Sequence, residues 1–313
     1  MKQFIFRRLI LLIPVVFGVA TLTFIMIHAI PGDPIQIMAG EMRDLTPAER
    51  ERIAESLGLN DPLPVQYVRY MTGLLHGDMG ISIASRSAVS YEIAERFPDT
   101  FILTISSMLI VIIIAFPLGM ISALKHDTWV DKVAMTFALL GVSMPAFWFG
   151  IMLMLVFGLY LGWLPTVGQG KTTVEFIQSL ILPSITLSMI LLGLVTRMVR
   201  SSMLEVLKRD YVRTAYAKGL ANRFVYFRHA LPNALIPVLT VLSGQFANLL
   251  GGAVVIETVF GWPGLGRLTV NAVFRRDYQV VTGGVLVFAV IVILVNLLND
   301  IFYSLIDPRV RLG

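Results

Sequence analysis

The sequence predicts an all-α polytopic membrane protein with six transmembrane helices and both termini on the cytoplasmic side. Three observations carry that prediction. Six stretches stay apolar over the roughly 20 residues that a helix needs to cross a hydrocarbon core of about 30 Å. Hydrophobic residues make up 56% of the 313-residue chain and charged residues only 14%, too few to cover the surface of soluble globules of this mass. Lys and Arg gather on one side of the six stretches, as the resistance of cationic flanks to translocation requires.

The first span, 9 to 30, follows a basic start at Lys2, Arg7 and Arg8. Gly18-Val19-Ala20 has the small residues of a cleavage site, but the apolar run continues through Leu22, Phe24, Ile25 and Ile27, so an uncleaved anchor is expected. Pro31-Gly32-Asp33-Pro34 stops that helix and opens an outer segment, 31 to 99. Thr46-Pro47-Ala48-Glu49 offers an N-cap, a first-turn proline and a capping-box glutamate for a helix closed by Gly58. From Pro64 to Leu75, Val65, Val68, Met71 or Thr72, and Leu75 recur at helical spacing; Val89, Ile93, Ala94 and Phe97 suggest a third amphipathic piece. A small helical extracytoplasmic cap is the expectation, and a loop lying on the headgroups the alternative.

The other spans are read at 100 to 124, 133 to 161, 178 to 197, 234 to 256 and 280 to 305, with Pro14, Pro117, Pro145 and Pro237 interrupting or opening four helices. The chain thus divides into a first helix (1–30), a cap segment (31–99), a five-helix core (100–306) that includes the inner loop 198–232, and a cytoplasmic tail (307–313). Inner segments hold fifteen basic residues, whereas the two short outer loops hold four, Lys171, Arg267, Arg275 and Arg276. Topology therefore accounts for the net charge of +5, and no nucleic-acid partner is expected. Only Asp300 is read near a span interior, beside Asn296 and Asn299, whereas ion-coupled carriers place ionisable groups in mid-membrane.

Enzyme chemistry is poorly supplied. There is no cysteine, and His28, His76, His126 and His229 show no i, i+4 ligand pair, so no metal site is expected. The phosphate loop GxxxxGK[ST], HExxH, GxSxG and the dinucleotide fingerprint are all absent. The chain is expected to bind no cofactor and to hydrolyse no ATP by itself.

The longest inner loop, 198–232, reads as a built element. Asp210 can cap a helix from Tyr211 to Lys218, Gly219 can end it in the left-handed conformation, and Asn222 can start a second helix running to His229. This knuckle is basic through Arg213, Lys218, Arg223 and Arg228, and aromatic through Tyr211, Tyr216, Phe224, Tyr226 and Phe227. It suits a soluble partner, with anionic lipid as the alternative.

Arg213-Thr214-Ala215-Tyr216-Ala217-Lys218-Gly219, followed by Leu231-Pro232, resembles the EAA loop of binding-protein-dependent ABC importers. An acidic residue usually stands where Arg213 stands, and Arg-Thr-Ala is similar to the oligopeptide and dipeptide subgroup. Ile30-Pro31-Gly32-Asp33-Pro34, His76-Gly77-Asp78-Met79-Gly80, Arg200 to Leu207, Trp262-Pro263-Gly264-Leu265-Gly266 and Arg276-Asp277-Tyr278 also look like the B-type permease of peptide and nickel importers. The resemblance implies an inner-membrane permease subunit that takes up di- or oligopeptides delivered by an extracytoplasmic solute-binding protein. It would pair with a homologous C-type permease and two ABC ATPase subunits, which bind the ATP and Mg. Asp210, Tyr211, Arg213, Thr214, Ala215, Lys218, Gly219, Leu231 and Pro232 would then form the ATPase-coupling element between helices four and five.

Thr240, Gly244, Asn248 and Gly252, with Gln245 beside them, recur on one helical face and are read as a translocation path or, equally, a helix contact. Trp262, Pro263, Gly264, Leu265 and Gly266 read as an outer gate or docking turn with an exposed aromatic, or as an interface anchor. Nickel chelates and glutathione are alternative cargoes, and an ion channel or secondary carrier is the alternative of another class.

Overall fold

The computed structural model describes residues 2–29, 46, 51 and 60–306. The turn at Pro31–Pro34, the helix expected from Thr46 to Gly58 and the tail 307–313 lie outside the described residues, as does the side chain of Asp300. The helices are α1 (Lys2–Ala29), α2 (Leu63–Leu75), α3 (Val89–Leu124), α4 (Trp129–Ser143), α5 (Ala146–Leu153), α6 (Thr173–Leu207), α7 (Asp210–Ala217), α8 (Asn222–Phe224), α9 (Leu231–Gly244), α10 (Phe246–Phe260), α11 (Leu265–Phe274) and α12 (Tyr278–Ile306). π-Helical turns continue α5 through Met154–Tyr160 and join α8 to α9 through Val225–Ala230. Among the described residues no strand forms beyond one isolated bridge, Ile81 to Ala88.

Four helices are long and apolar enough to cross a membrane, Val89–Leu124, Thr173–Leu207, Asn222–Gly244 and Tyr278–Asn299; two bent pairs bring the number to as many as six. The run expected at 133 to 161 bends by 102° between Trp129–Gly141 and Ala146–Tyr160. Pro145 has no N–H to donate and pushes Met144 into the extended region, ψ 138, so the helix stops there. The run expected at 234 to 256 starts earlier, at Asn222, and is interrupted at Gln245, after which α10 carries on to Phe260. Pro117, expected to interrupt a span, lies inside the continuous α3.

The described chain forms two compact units, Met1–Pro98 with Gly264–Leu294 and Asp99–Pro263 with Val295–Gly313. In the first, Val89, Ile93, Leu265, Ala272 and Val280 make a small core with Met79 and Phe97, so the amphipathic piece read at 89 to 97 is real, although Ala94 is exposed. Asp277 fastens the loop before α3: its Oδ2 accepts from Ser82 Oγ at 2.6 Å and from the Ala84 N–H at 3.1 Å. The helix read at 64 to 75 is α2, but its Val65, Val68 and Leu75 stripe is exposed. It seats on α1 through its other face, where the Tyr67 hydroxyl meets Thr21 Oγ1 at 2.7 Å and the Tyr67 ring stands edge-on to Phe24 at 5.2 Å.

α6 organises the second unit, with 67% of its apolar window buried against 28% for the other three long helices. Thr172 and Glu175 start it with a reciprocal capping box. Leu182, Leu187, Leu191, Val195, Val199 and Met203 along it pack against residues of α3, α9 and α10. At Gly119 of α3 the helices touch backbone to backbone: a Cβ there would lie 2.6 Å from Thr196 O and 2.7 Å from Val199 Cβ. Near that crossing Asp131 is 3% exposed. It accepts from Arg200 Nε at 2.7 Å and Nη2 at 2.6 Å, from the Asp127 N–H at 3.1 Å, and from Ser122 Oγ. Removing Arg200 would leave the buried Asp131 carboxylate without its cationic partner, whereas Arg200, 24% exposed, keeps access to water.

Gly119→Leu is expected to prevent α3 and α6 from closing, seen as loss of monodisperse protein after mild extraction. Gly251→Ala, where nothing lies within 4 Å of the added methyl, is the control and leaves recovery unchanged.

Candidate functional site

The knuckle after α6 is built from local chemistry. Arg209 takes the N-cap backbone geometry and Asp210 is the first helical residue of α7, so Asp210 faces the helix dipole rather than capping it as expected. At the other end Gly219 has φ +75; its N–H donates to Tyr216 O at 2.9 Å and the Leu220 N–H to Ala215 O at 3.4 Å. That pair of bonds is a Schellman ending, which places the chain reversal where the sequence put it.

Two residues one turn apart hold α7 to the body. Val212 and Ala215 are buried with Val225 against Val206 and Leu207 of the last turn of α6. Tyr211, Arg213, Thr214 and Lys218 are exposed, while Tyr216, 39% exposed, turns its hydroxyl toward Tyr226. The Asp210–Arg213 contact, 3.8 Å between fully solvated groups, adds little to stability. Of the residues expected to couple, Ala215 is therefore an anchor, Leu231 is half-buried, and the other seven are presented to the outside.

The second helix does not stop at His229. It begins with Asn222 as first helical residue, widens into the π turn Val225–Ala230 and runs into α9. Pro232 supplies the reason: it donates no N–H, its ring crowds the carbonyl four residues back, and the wider turn lets the Leu231 N–H reach Tyr226 O instead. Phe224 and Phe227, 54% and 61% exposed, lie with Arg223, Arg228 and Pro232 around an open depression. The Arg223 guanidinium sits 5.8 Å from the Phe224 ring centre. Burial and then the facing Tyr226 hydroxyl push the Tyr216 phenol from 10.0 up to about 12.

The other expected sites fare differently. Gln245 separates α9 from α10, although its N–H still donates to Val241 O at 3.0 Å; a Cβ on Gly252 would lie 3.0 Å from Ile190, so Gly252 is a packing position against α6. Asn248 is exposed and donates to Gln245 Oε1 at 2.7 Å, and Thr240 and Gly244 are half-buried. Trp262 is not an exposed aromatic: it is 0% exposed, its Nε1 donates to Asp99 O at 3.0 Å, and its ring packs on Phe176 at 5.6 Å. Gly264, Leu265 and Gly266 are likewise buried and Pro263 half-buried.

Sequence reading missed Glu257, which ending the fifth span at 256 had placed outside the helix; it is fully buried in α10 and accepts from Thr100 Oγ1 at 2.6 Å. It also missed the Asp131–Arg200 pair, because Lys132 stands beside the one and Arg197 near the other, and no spacing along the chain marks which charges meet. His126 and Asp127 place ligand atoms within 4.8 Å of those of Asp131, but both Asp131 oxygens already serve Arg200.

Comparison with known proteins places these features in context. Residues 115–312 match the family described as "Binding-protein-dependent transport system inner membrane component", and residues 1–104 match its N-terminal companion. The chain is 44% identical to the dipeptide transport system permease protein DppB of Alkalihalophilus pseudofirmus, over 99% of this chain and 100% of the relative. It is 42% identical to DppB of Escherichia coli K12 over 99% of both, and 44% identical to the glutathione transport system permease protein GsiC of Salmonella paratyphi A, again over 99% of both. The fold resembles a chain of the inward-facing MetNI methionine ABC transporter with a TM-score of 0.58 at 16% identity, over 69% of this chain and 97% of that one.

Val212→Asp is expected to release α7 from α6, because a carboxylate at that buried site has no partner. Hydrogen exchange across 210–224 should rise at least tenfold while that of 182–199 stays unchanged. In a spectrophotometric titration Tyr216→Phe should remove one ionisation near pH 12. Since the folded value is raised above the ordinary phenol value, Tyr216 contributes stability below pH 10 that is lost as pH passes about 12.

Proposed function

The chain belongs to the inner-membrane component family of binding-protein-dependent transport systems, and from that premise we propose that it is the permease subunit through which an ATP-driven importer takes up di- or oligopeptides. The identity of 42–44% to dipeptide and glutathione permeases over essentially the whole length carries the proposal. Glutathione is itself a short peptide, and its permease is as similar as the dipeptide permeases, so a peptide backbone is the common feature of the cargo. Membership of the family removes the channel and secondary-carrier alternative. As an inner-membrane permease the chain has no ATP site of its own, and hydrolysis belongs to partner subunits.

In this reading the chain crosses the membrane six times with both ends inside, at α1, α3, the bent α4–α5 run, α6, α9 with α10, and α12, while α11 is not counted as a crossing. The segment 31–99 then stands outside as a cap, and 100–306 forms the core. A homologous permease completes the pathway, a solute-binding protein delivers cargo from outside, and two ATPases carry ATP and Mg on the cytoplasmic side. α7 and the turn at Gly219 seat on one ATPase, with Tyr211, Arg213, Thr214 and Lys218 at the contact and Pro232 beside it. Closure of the ATPase pair moves that knuckle, and the anchor of Val212 and Ala215 passes the motion to α6. Gln245 and Asn248 offer polar groups suited to a weak, backbone-tolerant path, and the burial of Trp262, Gly264, Leu265 and Gly266 speaks against a docking face and for the gate reading.

Gly219→Pro tests the coupling role. Proline fixes φ near −65° and removes the N–H that closes the turn on Tyr216. The variant is expected to insert and assemble normally and to hydrolyse ATP, while peptide uptake in proteoliposomes falls at least tenfold; undiminished uptake would refute the coupling assignment.

A further inference from the structure

The knuckle is only as useful as the stiffness of the element behind it. α7 follows α6 after two residues, Lys208 and Arg209, and rests on its last turn, so a push on α7 arrives first at the end of α6. Arg200 stands seven residues before that end and grips Asp131 in the first turn of α4 with two parallel bonds of 2.7 and 2.6 Å. The carboxylate is held in turn by Ser122, two residues before the end of α3, and by the Asp127 N–H of the loop between α3 and α4, where φ is +63. One turn earlier on α3, Gly119 meets the α6 backbone. Three helix ends and a loop thus converge on one buried carboxylate.

We propose that Asp131 and Arg200 are a positioning pair for coupling, which makes the ends of α3, α4 and α6 move as one block when the knuckle is pushed. The proposal rests on the importer reading above and adds the element that transmits the stroke. Were the grip absent, α6 would turn about its crossing at Gly119 and the displacement of α7 would be spent there. Lysine at 200 keeps the charge but loses the planar fork that fixes direction, so it separates geometry from charge.

The test uses the complete importer, with its partner subunits and binding protein, in proteoliposomes. In Arg200→Lys the expected result is assembly at the native level, ATP hydrolysis within twofold of native, and at least a tenfold rise in ATP consumed per dipeptide taken up. An unchanged ratio would overturn the proposal. The second measurement needs no change at the grip. The chain has no cysteine, so Lys132→Cys with Ser201→Cys, both exposed, places spin labels on α4 and α6 in a complex cleared of other reactive thiols. The inter-label distance should be the same with and without bound ATP, and should broaden in Arg200→Lys; a shift of several ångströms in the otherwise native chain would refute the single block. If Arg200→Lys does not assemble, the distance in the otherwise native chain decides alone. Failure of the native complex to import any peptide would instead count against the importer reading.

Discussion

The burial of α6 sets the terms for the second unit. A helix that surrenders most of its surface to neighbours leaves its polar side chains little water to bond, and among the described residues of α6 the Ser184 hydroxyl finds no partner. Thr186 and Thr196 find theirs by donating to the carbonyls of Leu182 and Leu192, four residues back. The helices around it use the same device: Thr104 returns to Thr100 O and Ser107 to Leu103 O. Small residues then allow close approach, as where Gly119 meets Thr196 and Val199. In lipid, where apolar surface gains nothing by leaving the solvent, such close contact and paired polar groups are what hold helices together.

Two carboxylates show how this environment treats charge. Asp131 and Glu257 are both inaccessible, and each is reached by a hydroxyl from α3, Ser122 in one case and Thr100 in the other. Asp131 also has a guanidinium, a buried arrangement that adds direction more than net stability. Its position near the end of α6 gives that direction a use, because the next element is the exposed knuckle that faces the ATPases in the importer reading.

The knuckle combines a firm root with a free surface. Val212 and Ala215 fix one side, and the Schellman turn at Gly219 fixes the end, so the exposed tyrosines and cations keep a constant arrangement without belonging to the core. The π turn before Pro232 joins that surface to the apolar helix α9 without a gap. In the importer reading this combination lets a partner's movement pass from a water-exposed contact into closely packed helices.

Hydropathy, charge asymmetry and turn chemistry are local quantities. By themselves they determined the all-helical membrane class, the chain reversal at Gly219, the helix from 64 to 75, the amphipathic start of α3 and the exposed knuckle after α6. They could not say which face of α2 would be covered, because Val68 and Tyr67 are both plausible inward residues until α1 offers Thr21 and Phe24 as partners. Nor could they bury Trp262, which depends on Phe176 and the Asp99 carbonyl, 163 residues away in the case of the hydrogen bond. The packing of Gly252 on Ile190 and the meeting of Asp131 with Arg200 were decided by tertiary structure alone. The physical reason is common to both: each depends on a neighbour that the fold brings in, and apolar periodicity along one helix carries no information about what stands opposite it.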